Sequence, residues 1–182
     1  MPQLADFFFG QPREDRACGA CVACCFVWPI NAPELQKPSE TLCPHCTGAN
    51  CAIYDARPPV CRAFDCGWRR IEGMPDFARP DRLGIIFDVV MPDEPTNILD
   101  RLYIRGTALH SWADFESENA LLTLDQFSKG DLPVWLEYGD EKVLAHPFGE
   151  IADILLGGAE PSTGEAAEEA ERWRVRFSNL RG

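Results

Sequence analysis

The chain has 182 residues, enough for one domain or one domain with a small appendage, and long enough to bury a core without covalent staples. Its apolar fraction of 46% is ordinary for a globular chain, and a formal net charge of −12 argues against a surface built for nucleic acid or anionic membrane. No apolar run reaches the roughly 18 residues of a membrane-spanning helix.

The N-terminal stretch carries Asp6 where a secretory leader has basic residues, and the apolar run Phe7-Phe8-Phe9 is too short for one. A cytoplasmic protein is therefore expected. Residues 1–17 read as a lead-in with Phe7, Phe8 and Phe9 packed on the body. Across 18–67, Pro29, Pro33, Pro38 and Pro44 break any long helix, so 28–50 reads as mostly loop. Cys51 to Pro59 reads as a turn or short helix stopped by the proline pair, and Val60 to Trp68 as a second short helix.

Further along, Leu83 to Met91 is rich in Ile, Val and Phe, as a strand is. A Pro- and Asp-containing turn at 91–97 leads into a second expected strand, where Ile98, Asp100, Leu102 and Ile104 alternate with Leu99, Arg101, Tyr103 and Arg105. Leu121, Leu122, Leu124 and Phe127 recur near helical spacing over 118–129, with Gly130 at the C-terminal cap position. Val134–Tyr138 and Lys142–His146 flank Gly139-Asp140 as a hairpin. Ile151–Leu156 is short and apolar, helix or strand. Gly157–Glu169 is small, acidic and expected to be mobile. Glu168–Leu180 reads as a terminal helix with Trp173, Phe177 and Leu180 on one side. The fold class expected is α+β: a loop-rich cysteine region at 1–70, a small α+β region with an antiparallel sheet and two or three helices at 71–158, and an acidic linker with a C-terminal helix at 159–182.

All nine cysteines lie between Cys18 and Cys66. The set opens with Cys18-x-x-Cys21-x-x-Cys24-Cys25. Two residues between cysteines let the chain turn back so that both thiolates reach one ion, as in tetrathiolate zinc sites; a C-x-x-C-x-x-C run with a distant fourth cysteine also serves iron-sulfur clusters. Adjacent residues point their side chains apart, so Cys24 and Cys25 serve different metals, or one thiolate bridges two. The count fits two closed four-sulfur sites or one multinuclear cluster. A reducing compartment and an odd count favour metal ligands over disulfides. His45, between Cys43 and Cys46, is a further candidate donor. Arg57 and Arg62 bracket the last ligands, where they could offset sulfur charge or pair with Asp55 and Asp65.

Other chemistry finds little support. Gly157-Gly158 is no phosphate loop, and His110 and His146 are isolated. Asp114, Glu116 and Glu118 stand where a helix start favours acids. Trp68, Trp112, Trp135 and Trp173 read as core or interface residues.

The run Cys18-x-x-Cys21-x-x-Cys24-Cys25, then Cys43-Pro44-His45, then Cys51-Ala52-Ile53-Tyr54-Asp55-Ala56-Arg57-Pro58-Pro59-Val60-Cys61-Arg62-Ala63-Phe64-Asp65-Cys66, resembles the CxxCxxCC family of YkgJ-type cysteine-cluster proteins, described as zinc- or iron-chelating domains. The resemblance covers residues 17–68. It implies Cys18, Cys21, Cys24, Cys25, Cys43, Cys51, Cys61 and Cys66 as ligands. Cys46 departs from the pattern, as a spare thiol, a ninth ligand or a replacement. The implied cofactor is Zn2+, about two ions, in a structural or metal-handling role; the alternative is iron or a [4Fe-4S] cluster in a redox or enzymatic role. A related motif in flagellin lysine methylases keeps methyl transfer open, although this chain is much shorter than those enzymes. Metal ions are the expected partners, with no nucleic acid or membrane; a protein partner, contacted through Phe7–Phe9 or the terminal helix, is a third possibility.

Overall fold

A computed structural model of the chain describes residues 4–178. The fold is α+β, as the patterning implies. The lead-in forms the one-turn helix α1 (Leu4–Phe8) and the first cysteines lead to α2 (Ala23–Val27). A small hairpin of β1 (Ile30–Ala32) and β2 (Leu35–Lys37) follows, inside the stretch expected to be loop. A 3-10 turn at Tyr54–Ala56 precedes α3 (Pro59–Ala63), α4 (Gly67–Arg70) and α5 (Pro80–Leu83). The rest is β3 (Ile85–Val90), β4 (Tyr103–Ala108), α6 (Glu118–Ser128), β5 (Val134–Tyr138), β6 (Glu141–His146), α7 (Glu150–Leu155) and α8 (Gly164–Ser178).

Strands β3 to β6 form one sheet in sequence order. Its outer ladders are antiparallel, but β4 and β5 run parallel, with Ile104 opposite Val134. The sheet is thus mixed and not wholly antiparallel: the long connection carrying α6 lets the chain re-enter in the same direction. Strand β4 begins later than the alternation suggests. The Asn97 side chain accepts a 2.9 Å hydrogen bond from the Leu99 backbone, and Ile98–Asp100 curls into a 3-10 turn.

Residue parity sorts the sheet into two faces. Ile85, Phe87, Ile104, Val134 and Leu136 point one way. Phe87 meets Phe127 of α6 with ring centroids 4.8 Å apart. A Cβ on Gly106 would stand 2.6 Å from the Phe87 ring, so a side chain there would force the ring to move; one on Gly67 of α4 would stand 3.3 Å from Phe87, a tight contact. The opposite face carries Ile86, Asp88, Tyr103, Arg105 and Trp135. Tyr103 and Trp135 share a core with Ala166, Ala170, Trp173 and Phe177 of α8.

Several local expectations change. Phe9 is buried but Phe7 is exposed, because successive helical residues are about 100° apart and three in a row cannot share a face. On α6 the inward positions are Ala120, Thr123, Leu124 and Phe127, while Leu121 and Leu122 face solvent. Helix α8 starts inside the acidic run expected to be mobile: Thr163 Oγ1 accepts from the Ala166 backbone at 3.1 Å, and a stripe of buried residues follows. Leu180 lies outside the described residues. Trp68, Trp135 and Trp173 are buried, and Trp112 is partly so. Asp114 forms a capping box with Ser111, accounting for that acid by local structure. Among the described residues no helix is long and apolar enough to cross a membrane.

Candidate metal centre

Short, separately anchored pieces deliver the cysteines. Between Cys18 and Cys21 the chain makes a turn, with the Cys21 N–H donating to the Cys18 carbonyl at 2.9 Å; Gly19 takes the left-handed conformation there, φ +55°. Helix α2 carries Cys24 and Cys25. Its 5 residues are too few to be stable alone, so its position comes from packing Ala23 and Val27 into the core. Cys43 donates its backbone N–H to the Cys25 carbonyl at 2.9 Å, Cys46 donates to Cys43 at 2.8 Å, and Cys46 pairs with Cys51 as an isolated antiparallel bridge. Cys61 sits within α3, and Cys66 caps α4.

These pieces enclose one cavity of about 230 Å³. All eight cysteines implied as ligands line it, together with His45 and Arg57; Cys46 does not. Its floor is the second face of the sheet, through Ile86, Asp88 and Arg105, and its apolar side includes Trp28 and Phe64. All nine cysteines are free thiols. Among the described residues no three His, Cys, Asp or Glu side chains are grouped so as to hold one metal ion. The thiols ring a space instead of converging on a point. As a donor set they fit a soft metal; as placed, they do not form a tight tetrahedron.

The thiols differ in their proton affinity. The Cys24 thiol hydrogen-bonds to Cys25, and this bond with burial raises Cys24 well above its ordinary value. The same bond is the chief cause that lowers Cys25 to about 6; burial opposes it, and the Cys46 thiol, Lys37 and Arg57 assist. Burial raises Cys66 to about 12. Burial also raises Cys21, Cys46 and Cys61. Cys25 is thus shifted toward the thiolate, while Cys21, Cys24, Cys61 and Cys66 are shifted toward the thiol.

The two arginines expected beside the ligands separate. Arg57 stacks on Tyr54 at 3.8 Å, donates from Nε to the Tyr54 carbonyl at 2.9 Å, and its charge acts on Cys25 and Cys61. Arg62 is exposed. Among the described residues neither makes an ion pair with Asp55 or Asp65; Asp65 instead accepts from Arg69 at 2.9 Å.

Lys37 is a member of the site that the sequence reading missed. Only 5% exposed, it donates from Nζ to the carbonyls of Phe26 and Pro38 at 3.0 and 2.9 Å. Burial lowers its pKa, while Cys43, Cys25 and Cys24 pull it back up. The usable signal was the spacing Leu35-x-Lys37, which puts both on one face of a short strand. Arg105 and Asp88 were also missed as site residues. They form a two-pronged ion pair at 2.9 and 2.7 Å under the cavity, with the Arg105 guanidinium 5.1 Å from the Trp28 ring centre. Burial outweighs that pairing and raises Asp88.

Other candidates stay apart from this cavity. His110 lies on the surface against Asp114, at 3.2 Å. The His146 ring packs against Trp173, and burial lowers its pKa.

No family model, no curated protein and no solved structure matches this chain. The likeness to the CxxCxxCC family therefore rests on the cysteine motif itself.

Proposed function

We propose that this is a metal-binding protein of the CxxCxxCC kind, with a multi-cysteine zinc or iron centre in a structural or metal-handling role. The observation that carries the reading is that eight cysteines, drawn from five separate chain segments, line one cavity. Sulfur is the dominant donor around that space, and soft or borderline ions are the ones such donors select.

Bound there, a metal would supply thiolate bonds cross-linking α2, the 43–51 loop, α3 and the start of α4. The residues around the sulfurs prepare for negative charge. Lys37 and Arg57 bring two cations to the Cys25 side, and neither is neutralised by a carboxylate among the described residues. Trp28, Phe64 and Ile86 keep the inner wall apolar, which strengthens charge interactions at the sulfurs. Because ligation takes thiolates, Cys66 must release a proton held up to about 12, so affinity falls as pH falls.

A second reading, an iron-sulfur protein with a redox or enzymatic role, is favoured by one feature. The cavity is larger than one ion needs, and its thiols stand around it rather than in a tight group.

Anaerobic purification followed by elemental analysis and an absorption spectrum on the same sample tests both. About two zinc ions per chain with no visible band support the first reading. Iron with labile sulfide and a broad visible band move the assignment to the second. A chain that takes up neither metal on anaerobic reconstitution, with all nine thiols still titrating as free, overturns both.

A further inference from the structure

Cys46 is the one cysteine of the nine that does not line the cavity, and the chain around it is built as a tight hairpin. Thr47 donates its backbone N–H to the Asn50 carbonyl at 2.9 Å, and Ala52 donates to the His45 carbonyl at 2.8 Å. These bonds flank the Cys46–Cys51 bridge on its two sides. Cys46 and Cys51 therefore face each other directly as a pair that exchanges no backbone hydrogen bond of its own. Between them Gly48 takes a left-handed φ of +87°. The Thr47 side chain closes the turn: its Oγ1 accepts from the Asn50 backbone at 3.1 Å and donates to Asn50 Oδ1 at 2.9 Å.

A pair of this kind is where two antiparallel segments come closest. The Cα atoms stand about 4.5 Å apart, with both side chains on one face. A disulfide joins Cα atoms about 4.4–6.8 Å apart, so this hairpin accepts one without moving its backbone. The ring closed would span only Thr47 to Asn50, which the turn already orders, and little chain entropy is lost. Both cysteines are half-buried and within reach of a small reagent. The Gly48 N–H donates to Cys46 Sγ at 3.4 Å, which holds that sulfur over the turn and not inside the cavity.

We propose that Cys46 and Cys51 form a reversible disulfide site, closed by small-molecule disulfides such as oxidised glutathione. The Cys51 thiolate attacks one sulfur of the oxidant, breaking its S–S bond, forming a mixed disulfide and releasing a small thiolate. Cys46 then attacks the Cys51 sulfur, forming the Cys46–Cys51 bond and breaking the mixed one, and a second small thiolate leaves. The protons shed by the cysteines pass to these thiolates; the cysteine pair loses two electrons and the oxidant gains them. Exchange among neighbouring thiols settles on the least strained pairing, and the hairpin supplies it. Cys51 also lines the cavity, so closure takes one sulfur away from it. That oxidation thereby loosens a bound metal rests on the metal-binding reading above; the disulfide itself does not.

The test equilibrates the full chain, as purified, with oxidised and reduced glutathione at rising ratio. Free thiols are counted, and mass spectrometry of an unreduced digest identifies which cysteines are joined. The expected result is a fall from nine free thiols by two, to seven, with Cys46 joined to Cys51 and the link reopened by excess reduced glutathione. Zinc bound beforehand should leave the wild type on closure and stay with Cys46→Ser. A link from Cys46 to Cys25, a link from Cys51 to any other cysteine, or nine free thiols at every ratio overturns the proposal. Closure in a chain that binds neither zinc nor iron upholds the disulfide site and overturns the metal-binding reading alone.

Discussion

The four-stranded sheet and the cysteine loops lie against each other, yet different forces order them. In the sheet, Ile85, Ile86, Phe87 and Val134 are at most 2% exposed, and β4 is paired along both edges. In the cysteine region no helix between residues 18 and 66 is longer than 5 residues, and seven of the nine cysteines are only half-buried. Its order comes from single hydrogen bonds, among them those from Arg16 to the Ile71 and Met74 carbonyls and from Arg69 to the Arg16 carbonyl, and from the buried ammonium of Lys37. The difference teaches where to look for function: a region with too little apolar surface to hold itself has its side chains free for chemistry, while the sheet beneath keeps it in place.

Metal withdrawal should break the comparison most sharply. Zinc bound to a structural thiolate site contributes on the order of 10 kcal/mol to the fold it closes. A chelator should therefore remove hydrogen-exchange protection from the amides of Cys21, Cys43 and Cys46, while the amides of β3 to β5 keep theirs. Uniform loss in both regions would show that the metal holds the whole molecule.

The converse experiment cuts the core that the two regions share. Phe87 is 2% exposed, meets Phe127 and lies under Gly67 of α4. Phe87→Ala should cost about 3–5 kcal/mol in denaturant unfolding and loosen both regions together. A cost below about 1 kcal/mol would mean that the sheet does not depend on this seam.

These two regions were unequally legible in the sequence. The resemblance to the CxxCxxCC family implied the eight cysteines that line the cavity, and a motif of that kind is legible because its residues lie close together along the chain. The hairpin at Gly139-Asp140 and the helix at 118–128 were readable for the same reason: turn chemistry and helical period are short-range signals. The parallel pairing of β4 with β5 was not readable, since it depends on where the chain returns after α6. Nor was the floor of the cavity. Asp88 and Arg105 meet only through the β3–β4 register, and Lys37 is buried because Leu35 on the same face is pulled inward. Arg57 and Arg62 look alike in sequence, but one stacks on Tyr54 and the other is exposed.

Lys37→Met sharpens the comparison within the cysteine region. It keeps much of the stem's bulk and removes the ammonium, leaving the Phe26 and Pro38 carbonyls without that donor. A loss of about 1–3 kcal/mol is expected from the unpaired carbonyls. The sheet amides should keep their exchange protection, because the carbonyls that Lys37 binds, those of Phe26 and Pro38, lie outside the four-stranded sheet. Unchanged stability and unchanged thiol titration together would remove Lys37 from the site.

The smallest effect is a titration. In the metal-free chain Cys25 ionises at about 6, against an ordinary 9.0. Its alkylation rate should rise through pH 6 and level off above it, while buried Cys66, held up to about 12, stays unreactive at neutral pH. The same shift enters stability with a fixed sign. Between about pH 6 and 9 the unfolded chain holds the Cys25 proton and the folded chain does not, so this group's contribution grows with pH across that window and is lost as pH falls through about 6. Arg57→Gln should move the alkylation midpoint upward, since one of the charges that favour the thiolate is gone. Arg62→Gln should leave it in place. If the two substitutions act alike, the cation beside Cys25 has been misidentified.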